Sequence, residues 1–210
     1  SLEPLLGGSG GASGEAGQKL AGGMPGAGGG GGGALQISAR TIVLSGAILA
    51  NGGPGAGSIS VDDGINPHSP GPAGGGGAGG GIVLEARQIS GNGVAMAAGG
   101  GGGGGANRCE SDNGRQAWSA KDGVQAPTGG AGCDTQNPQS FGNGGSGAHG
   151  QWPNLSQAEI GGDCAVLRGP GGGGGGAGRV VVRRPTDTPC PPAGLTVHGV
   201  LHCGTFAATP

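Results

Sequence analysis

The sequence predicts an all-β fold of strands and extended glycine helices, layered as a repeat and almost free of α-helix. Three observations lead there. Of 210 residues, 61 are Gly and 15 are Pro, while Leu, Ile, Val and Phe together number only 33. With two Trp, two Phe and no Tyr, the chain cannot fill the interior of a conventional domain of its size. Such a composition ordinarily marks disorder. Charged residues make up only 10% and the net charge is −2, however, so charge repulsion does not hold the chain open. Ordering glycine costs more backbone entropy than ordering any other residue. A folded form therefore needs many backbone hydrogen bonds and close backbone contacts.

The second observation is an internal repeat. Residues 33–53, GALQISARTIVLSGAILANGG, align without gaps to residues 80–100, GGIVLEARQISGNGVAMAAGG, at an offset of 47. Ala39/Ala86, Arg40/Arg87, Ile42/Ile89, Gly46/Gly93, Ala50/Ala97 and Gly52/Gly99 are identical, and Leu35/Ile82 and Ile37/Leu84 match in kind. A third, partial copy, GGGGGGAGRVVVRRP, aligns at an offset of 97, with Arg184 set against Arg87. Each copy follows its own glycine tract, at 28–33, 74–81 and 171–178.

The third observation is the period within each copy. Leu35, Ile37 and Ala39 alternate with Gln36, Ser38 and Arg40, and Ile82, Leu84 and Ala86 repeat the pattern, as in a half-buried strand. A second short strand is expected over 41–45 and 47–50, broken at Gly46 and Gly93, where a bend or bulge fits. The one weak helix candidate is 156–160. The tracts themselves suit an extended threefold helix of the polyproline II type, rising about 3.1 Å per residue, whose backbone groups point outward to neighbours. A seven-residue tract then spans roughly 22 Å and a six-residue strand roughly 20 Å, so the two can stack as layers. The chain reads as one repeat domain over 1–210. It comprises a glycine-rich N-terminal segment 7–33, repeat units at about 28–53, 74–105 and 171–184, an irregular Cys-containing insertion 106–170, and a Cys-closed C-terminal segment 185–210.

The unit resembles glycine-rich repeats of large bacterial surface and secreted proteins, and is similar in part to filamentous-haemagglutinin-type β-solenoids. The resemblance rests on residues 35–53, 82–105 and 171–184. The tracts also resemble the polyglycine sandwich of adhesins at the tips of some phage tail fibres, in which variable loops recognise the receptor. That likeness implies a solenoid- or sandwich-like body, with region 106–170 in the place of the loops.

Chemistry-bearing motifs are few. GxGxxG matches many windows because glycine is abundant, without a βαβ setting, and GxxxxGK[ST] is missing. Gly7-Gly8-Ser9-Gly10-Gly11 satisfies GxSxG but lacks the strand–turn–helix setting of a nucleophile elbow. Asp62-Asp63-Gly64 reads as a turn. Cys109, Cys133, Cys164, Cys190 and Cys203 include no CxxC pair and suggest disulfides in an oxidising compartment, with one thiol left over. Cys190, His198, His202 and Cys203 have the types of a metal site, but a Cys190–Cys203 disulfide closing the last hairpin-like loop, LTVHGVLHC, is the favoured reading. Neither a metal nor another cofactor is expected. Arg179, Arg183 and Arg184 form a local basic cluster, read as a solvated strand face; one cluster in a near-neutral chain does not indicate nucleic acid. Trp118, Phe141 and Trp152 fall together in the insertion, as a small apolar plug or as contacts for a receptor, glycan or neighbouring subunit. Asn154-Leu155-Ser156 is a glycosylation sequon.

These features point to a non-enzymatic, extracellular or cell-surface structural protein, a self-associating filament or coat subunit forming homo-oligomers or homopolymers. The apolar Leu2, Leu5 and Leu6 and the tail around Phe206 are the segments expected to dock on another subunit. The alternative is a receptor- or glycan-binding adhesin that uses loops 106–170. Ice binding is a third class, disfavoured by the irregular insertion and by the lack of a Thr-x-Thr array. No apolar stretch is long enough for a membrane-spanning helix. No signal peptide is visible, and Ser1 reads as the start of a mature or trimmed chain.

Overall fold

The computed structural model describes residues 5–14, 23–60, 72–107, 118–120, 123–125, 133–134, 146–149, 153–154, 156–161, 171–185 and 188–206. Among them there is no helix. The strands are β1 (Gly23–Met24), β2 (Ala34–Val43), β3 (Ala47–Leu49), β4 (Ile59–Ser60), β5 (Gly81–Ser90), β6 (Val94–Met96) and β7 (Ala106–Asn107). They continue with β8 (Trp118–Ala120), β9 (Gly123–Gln125), β10 (Cys133–Asp134), β11 (Arg179–Pro185), β12 (Thr196–His198) and β13 (Val200–Phe206). Two parallel sheets carry the architecture: a four-stranded sheet in the order β13-β11-β5-β2 and a three-stranded sheet in the order β12-β6-β3.

The first two copies share one plan: a glycine tract runs into a long strand, the chain bends, a short strand follows, and a second glycine-rich tract comes next. In the third copy the short strand β12 leads directly into β13. The registers Ala34↔Gly81 and Ala47↔Val94 both equal the repeat offset of 47, so equivalent residues of the two copies lie side by side. The period of two is realised most clearly in the central strand, where Ile82, Leu84 and Ala86 are fully buried. They pack with Val180, Val182 and Leu201 against Ala95, Ala97 and Val197 of the short-strand sheet. β2 lies at the sheet edge, and its Leu35 is 43% exposed although its counterpart Ile82 is inaccessible.

Three expectations need correction. The third copy pairs as Val180↔Ile82 and Val182↔Leu84, an offset of 98 rather than 97. In a strand, a slip of one residue exchanges the two faces, and the run Val180–Val182 hides such a slip from the sequence. The long strands continue past residue 41 to Val43 and Ser90, instead of giving way there to a new strand. The inward face does change parity at this point: Arg87 and Gln88 are both exposed and the next core residue is Ile89. Gly46 and Gly91 then sit at the bends, and the φ of +107° at Gly91 lies in the left-handed region that favours glycine. Finally, residues 156–160 are extended, with the Glu159 N–H donating to Ser146 O and Glu159 O accepting from Gly174 N–H.

The tracts are joined by backbone hydrogen bonds with a period of three. N–H groups of Gly74, Gly77 and Gly80 donate to Ala56, Gly53 and Ala50; those of Gly75 and Ala78 donate to Ala12 and Ser9; those of Gly76 and Gly79 donate to Gly173 and Gly176. Seven consecutive amides thus address three different neighbours in rotation, at 2.7–3.0 Å. Carbonyls of the same tract accept from Gly29, Gly32, Gly100 and Gly103 on two more segments. Such contacts need bare backbone, for a Cβ built at Gly77 would overlap the Gly30 carbonyl. Where β3 passes into its tract, buried Asn51 supplies a side-chain acceptor, Oδ1, to the Ala98 N–H at 2.8 Å.

The C-terminal segment is not a hairpin. β12 completes the short-strand sheet beside β6, the chain reverses at Gly199 (φ +131°), and β13 returns to the long-strand sheet beside β11. A disulfide joins Cys190 to Cys203, with a Cα–Cα separation of 6.1 Å.

Candidate functional site

The outward face of the four-stranded sheet gathers most of the described charge. Partners in a parallel ladder share a face, and the row Glu85↔Arg183↔Gly204 sets a carboxylate beside a guanidinium, Arg183 Nη1 lying 3.6 Å from Glu85 Oε2. Gly204 leaves room for that arginine: a Cβ there would stand 3.2 Å from Arg183 Cγ. The row before it holds Val83, Val181 and His202. Toward the far end come Arg40 and Arg87, bracketed by the pairs Ala39↔Ala86 and Thr41↔Gln88, and half-exposed Phe206. Arg179 begins β11 on the same face, exposed to solvent.

Two grooves cross this face. One, of about 270 Å³, is lined by Arg40, Glu85, Arg87 and Phe206. The other, of about 430 Å³, is lined by Glu85, Val181, Arg183, His202 and Phe206. They share Glu85 and Phe206 and so form one continuous surface. At the start of the strands a further cleft of about 350 Å³ lies between Leu5, Leu6, Val83, Arg179 and Val181.

Comparison with protein-family models, curated proteins and solved structures finds no match to this chain. The chemistry must be read from its own residues.

Of the residues singled out in the sequence, Cys190 and Cys203 are joined, and a disulfide has no thiolate to offer a metal. His198 is buried in β12 and His202 exposed on β13. Among the described residues no group of three or more His, Cys, Asp or Glu could hold a metal ion. Arg184 parts from its neighbours Arg179 and Arg183, its Nη1 donating to Pro189 O at 2.8 Å. Leu5 lies over Gly81 of its own sheet, its Cδ1 at 3.2 Å from a Cβ built there, whereas Leu6 is 70% exposed. Leu2, Cys109, Phe141, Trp152, Cys164 and Asp62–Asp63 lie outside the described residues. Of Trp118 and Cys133 only the backbone is described.

A Ser–His–Glu grouping escapes the motif search because Ser156, His149 and Glu159 are interleaved out of any familiar spacing. His149 Nδ1 is 2.9 Å from Ser156 Oγ and also 2.9 Å from Gly147 O. A carbonyl only accepts, so the Gly147 contact calls for the tautomer with the proton on Nδ1 and the lone pair on Nε2. Ser156 Oγ in turn donates to His149 O at 3.0 Å and accepts from His149 N–H at 3.1 Å. The Ser146 N–H donates to Glu159 Oε2 at 3.0 Å. Bonds from Ser146, backbone first, hold the Glu159 carboxyl below its ordinary range, with the charge of His149 adding less. The grouping clamps two extended segments together.

Proposed function

We propose that this chain is an extracellular, non-enzymatic structural protein whose glycine tracts are polyproline II-type helices stacked as a solenoid-like body, and which self-associates through its sheet edges. The period of three in the tract hydrogen bonds supports the helix assignment, since a threefold helix turns every third N–H toward the same neighbour. The common offset of strands and tracts supports the solenoid. The disulfide and the absence, among the described residues, of any helix long and apolar enough to cross a membrane are compatible with secretion.

The observation that carries self-association is the first rung. Among the described residues, no strand pairs with the outer edge of β2 or of β13. Of the exposed large apolar residues, Met24 (66%), Leu35 (43%), Val43 (70%) and Leu49 (46%) all lie on the β1–β3 rung. A long, flat, apolar edge strand is a template for another chain. The occupant that fits is a second copy: β13 and β2 are parallel members of one sheet, so β13 of one molecule can pair with β2 of the next as β11 pairs with β5. Such a contact is heterologous and propagates into a filament.

Sedimentation and electron microscopy of the oxidised protein test this. End-to-end filaments or oligomers are expected, and V43K/L49K should return the material to monomers. A wild-type chain that stays monomeric at every concentration would refute self-association.

A further inference from the structure

We propose that a slot between the second and third glycine tracts, 72–80 and 171–178, binds an extended peptide segment of another protein chain, with glycine at every third position. An occupied slot one rung earlier defines it. There residues 8–14 lie antiparallel across tracts 26–33 and 72–80. The N–H groups of Gly8, Gly11 and Gly14 donate to Gly32, Gly29 and Gly26, while those of Gly75 and Ala78 donate to Ala12 and Ser9. The registers Ala34↔Gly81 and Arg179↔Gly81 fix the steps from rung to rung at 47 and 98 residues. The tract bonds keep those steps: Gly53 donates to Gly30 as Gly100 does to Gly77, and Gly80 to Ala50 as Gly178 does to Ala97. Moving the five tract groups of the occupied slot on by one rung gives the carbonyls of Ala73, Gly76 and Gly79 and the N–H groups of Gly173 and Gly176. Among the described residues, none of these five groups has a hydrogen-bond partner. Ala73, Gly76 and Gly79 are buried, where a backbone carbonyl gains most from a partner.

The slot has room for a chain. Gly176 is exposed, and a Cβ built there meets nothing within 4 Å. The cleft of about 350 Å³ opens at the strand end of the slot, with Gly79 and Gly80 of one tract and Ala177 and Gly178 of the other in its walls, and Leu5–Gly7 along its side. The occupied slot also shows what the ligand must be. A Cβ at Gly8, Gly11 or Gly14 would overlap the carbonyl of Ala78, Gly75 or Pro72, whereas Ser9, Ala12 and Ser13 point their side chains into open space. Glycine is therefore required at every third position and other residues fit between. An apolar side chain ahead of the first such glycine, as Leu5 stands ahead of Gly8, meets Val83 and Val181 in the cleft. The occupant is a different glycine-rich chain rather than a second copy, because each copy already holds its residues 8–14 in the first slot. The slot lies within the tract layer, away from the sheet edges used in self-association, so either proposal can fail alone.

The test is an NMR titration of the isotope-labelled, full-length oxidised protein with a synthetic peptide of the sequence of residues 5–14, LLGGSGGASG. The peptide should shift the amide signals of Gly173 and Gly176 and slow their hydrogen exchange. A peptide with alanine in place of the glycines that match Gly8 and Gly11 should bind at least about tenfold more weakly. Gly176→Pro removes one donor and sets the proline ring in the slot. Its N–H has no bond to lose among the described residues and its φ is not positive, so the melting temperature should stay unchanged while binding falls at least about tenfold. Gly30→Pro, outside the slot, should keep wild-type affinity. Should G176P melt early, G173P takes its place. No change at Gly173 and Gly176, equal binding of the alanine peptide, or wild-type affinity in the proline variant of the slot would each overturn the proposal. So would shifts confined to Gly8, Gly11 and Gly14, which would mean that the peptide only exchanges into the first slot.

Discussion

Substituting Gly77 by Ala tests whether glycine is framework, because the same position in the previous copy supplies its own control. Gly77 donates to Gly53 O and accepts from Gly100 N–H, both at 2.9 Å, and a Cβ on it would overlap the Gly30 carbonyl. No flexible side chain is present to swing aside; the obstacle is backbone. Relief requires moving tract 26–33 away from tract 72–80, against bonds of 2.9 Å from Gly26, Gly29 and Gly32 to Pro72, Gly75 and Ala78. Overpacking costs about 1–3 kcal/mol, and each of those bonds is worth about 1 kcal/mol net. A loss of about 3 kcal/mol is therefore expected, a large part of the 5–15 kcal/mol typical of a folded domain. Gly30, one repeat earlier, has nothing within 4 Å of its would-be Cβ. Gly30→Ala should be neutral or stabilise by up to about 0.5–1 kcal/mol, through the unfolded chain. Chemical denaturation followed by circular dichroism compares the two. Equal stability of G77A and G30A would refute the reasoning.

Reducing the disulfide should cost about 3 kcal/mol, the loop-closure value for the 13-residue separation of Cys190 and Cys203, seen as a lower melting temperature with reductant and as new proteolysis within 188–206. The Glu159 carboxyl titrates lower in the folded than in the unfolded chain, so its contribution is present above the ordinary carboxylate range and is lost as pH falls through the depressed folded value. The protection factors of the Ser146 and Glu159 amides, measured relative to the intrinsic rate at each pH, should fall in acid, and E159Q should remove that dependence. The Arg183–Glu85 pair is partly exposed, so E85Q should change stability by less than about 1 kcal/mol; a larger loss by denaturant titration would mean that the pair is part of the core. V43K and L49K, which alter exposed edge residues, should leave the monomer within about 0.5 kcal/mol of wild type.

How much of this was legible in the sequence depends on how strongly each feature was constrained. The offset of 47 became the register of both sheets because equivalent apolar residues of neighbouring rungs must share a face, and Leu35/Ile82 and Ile37/Leu84 left no other pairing. The third copy was less determined: three consecutive valines fit the core from either face, and aligning Arg184 with Arg87 chose the wrong one. Burial of β2 was overestimated because alternation reports which side is apolar, and neighbouring strands decide whether that side is covered. The C-terminal strands were hidden for a related reason, since the apparent hairpin around Gly199 sends its two arms to different sheets. The arginine surface joins residues from three rungs and becomes visible only when Arg40 and Arg87 are laid beside Arg183. Ser156 and His149 pair through a clamp that no spacing rule encodes.

Residue-resolved amide hydrogen exchange across residues 74–80 most directly tests the claim that the tracts are structure. The seven N–H groups there all donate, in rotation, to three different segments. All seven should be strongly protected, in contrast to an exposed edge strand, in which only alternate amides are bonded. Exchange at the rate of an unstructured glycine chain, or protection at alternate positions only, would contradict the account.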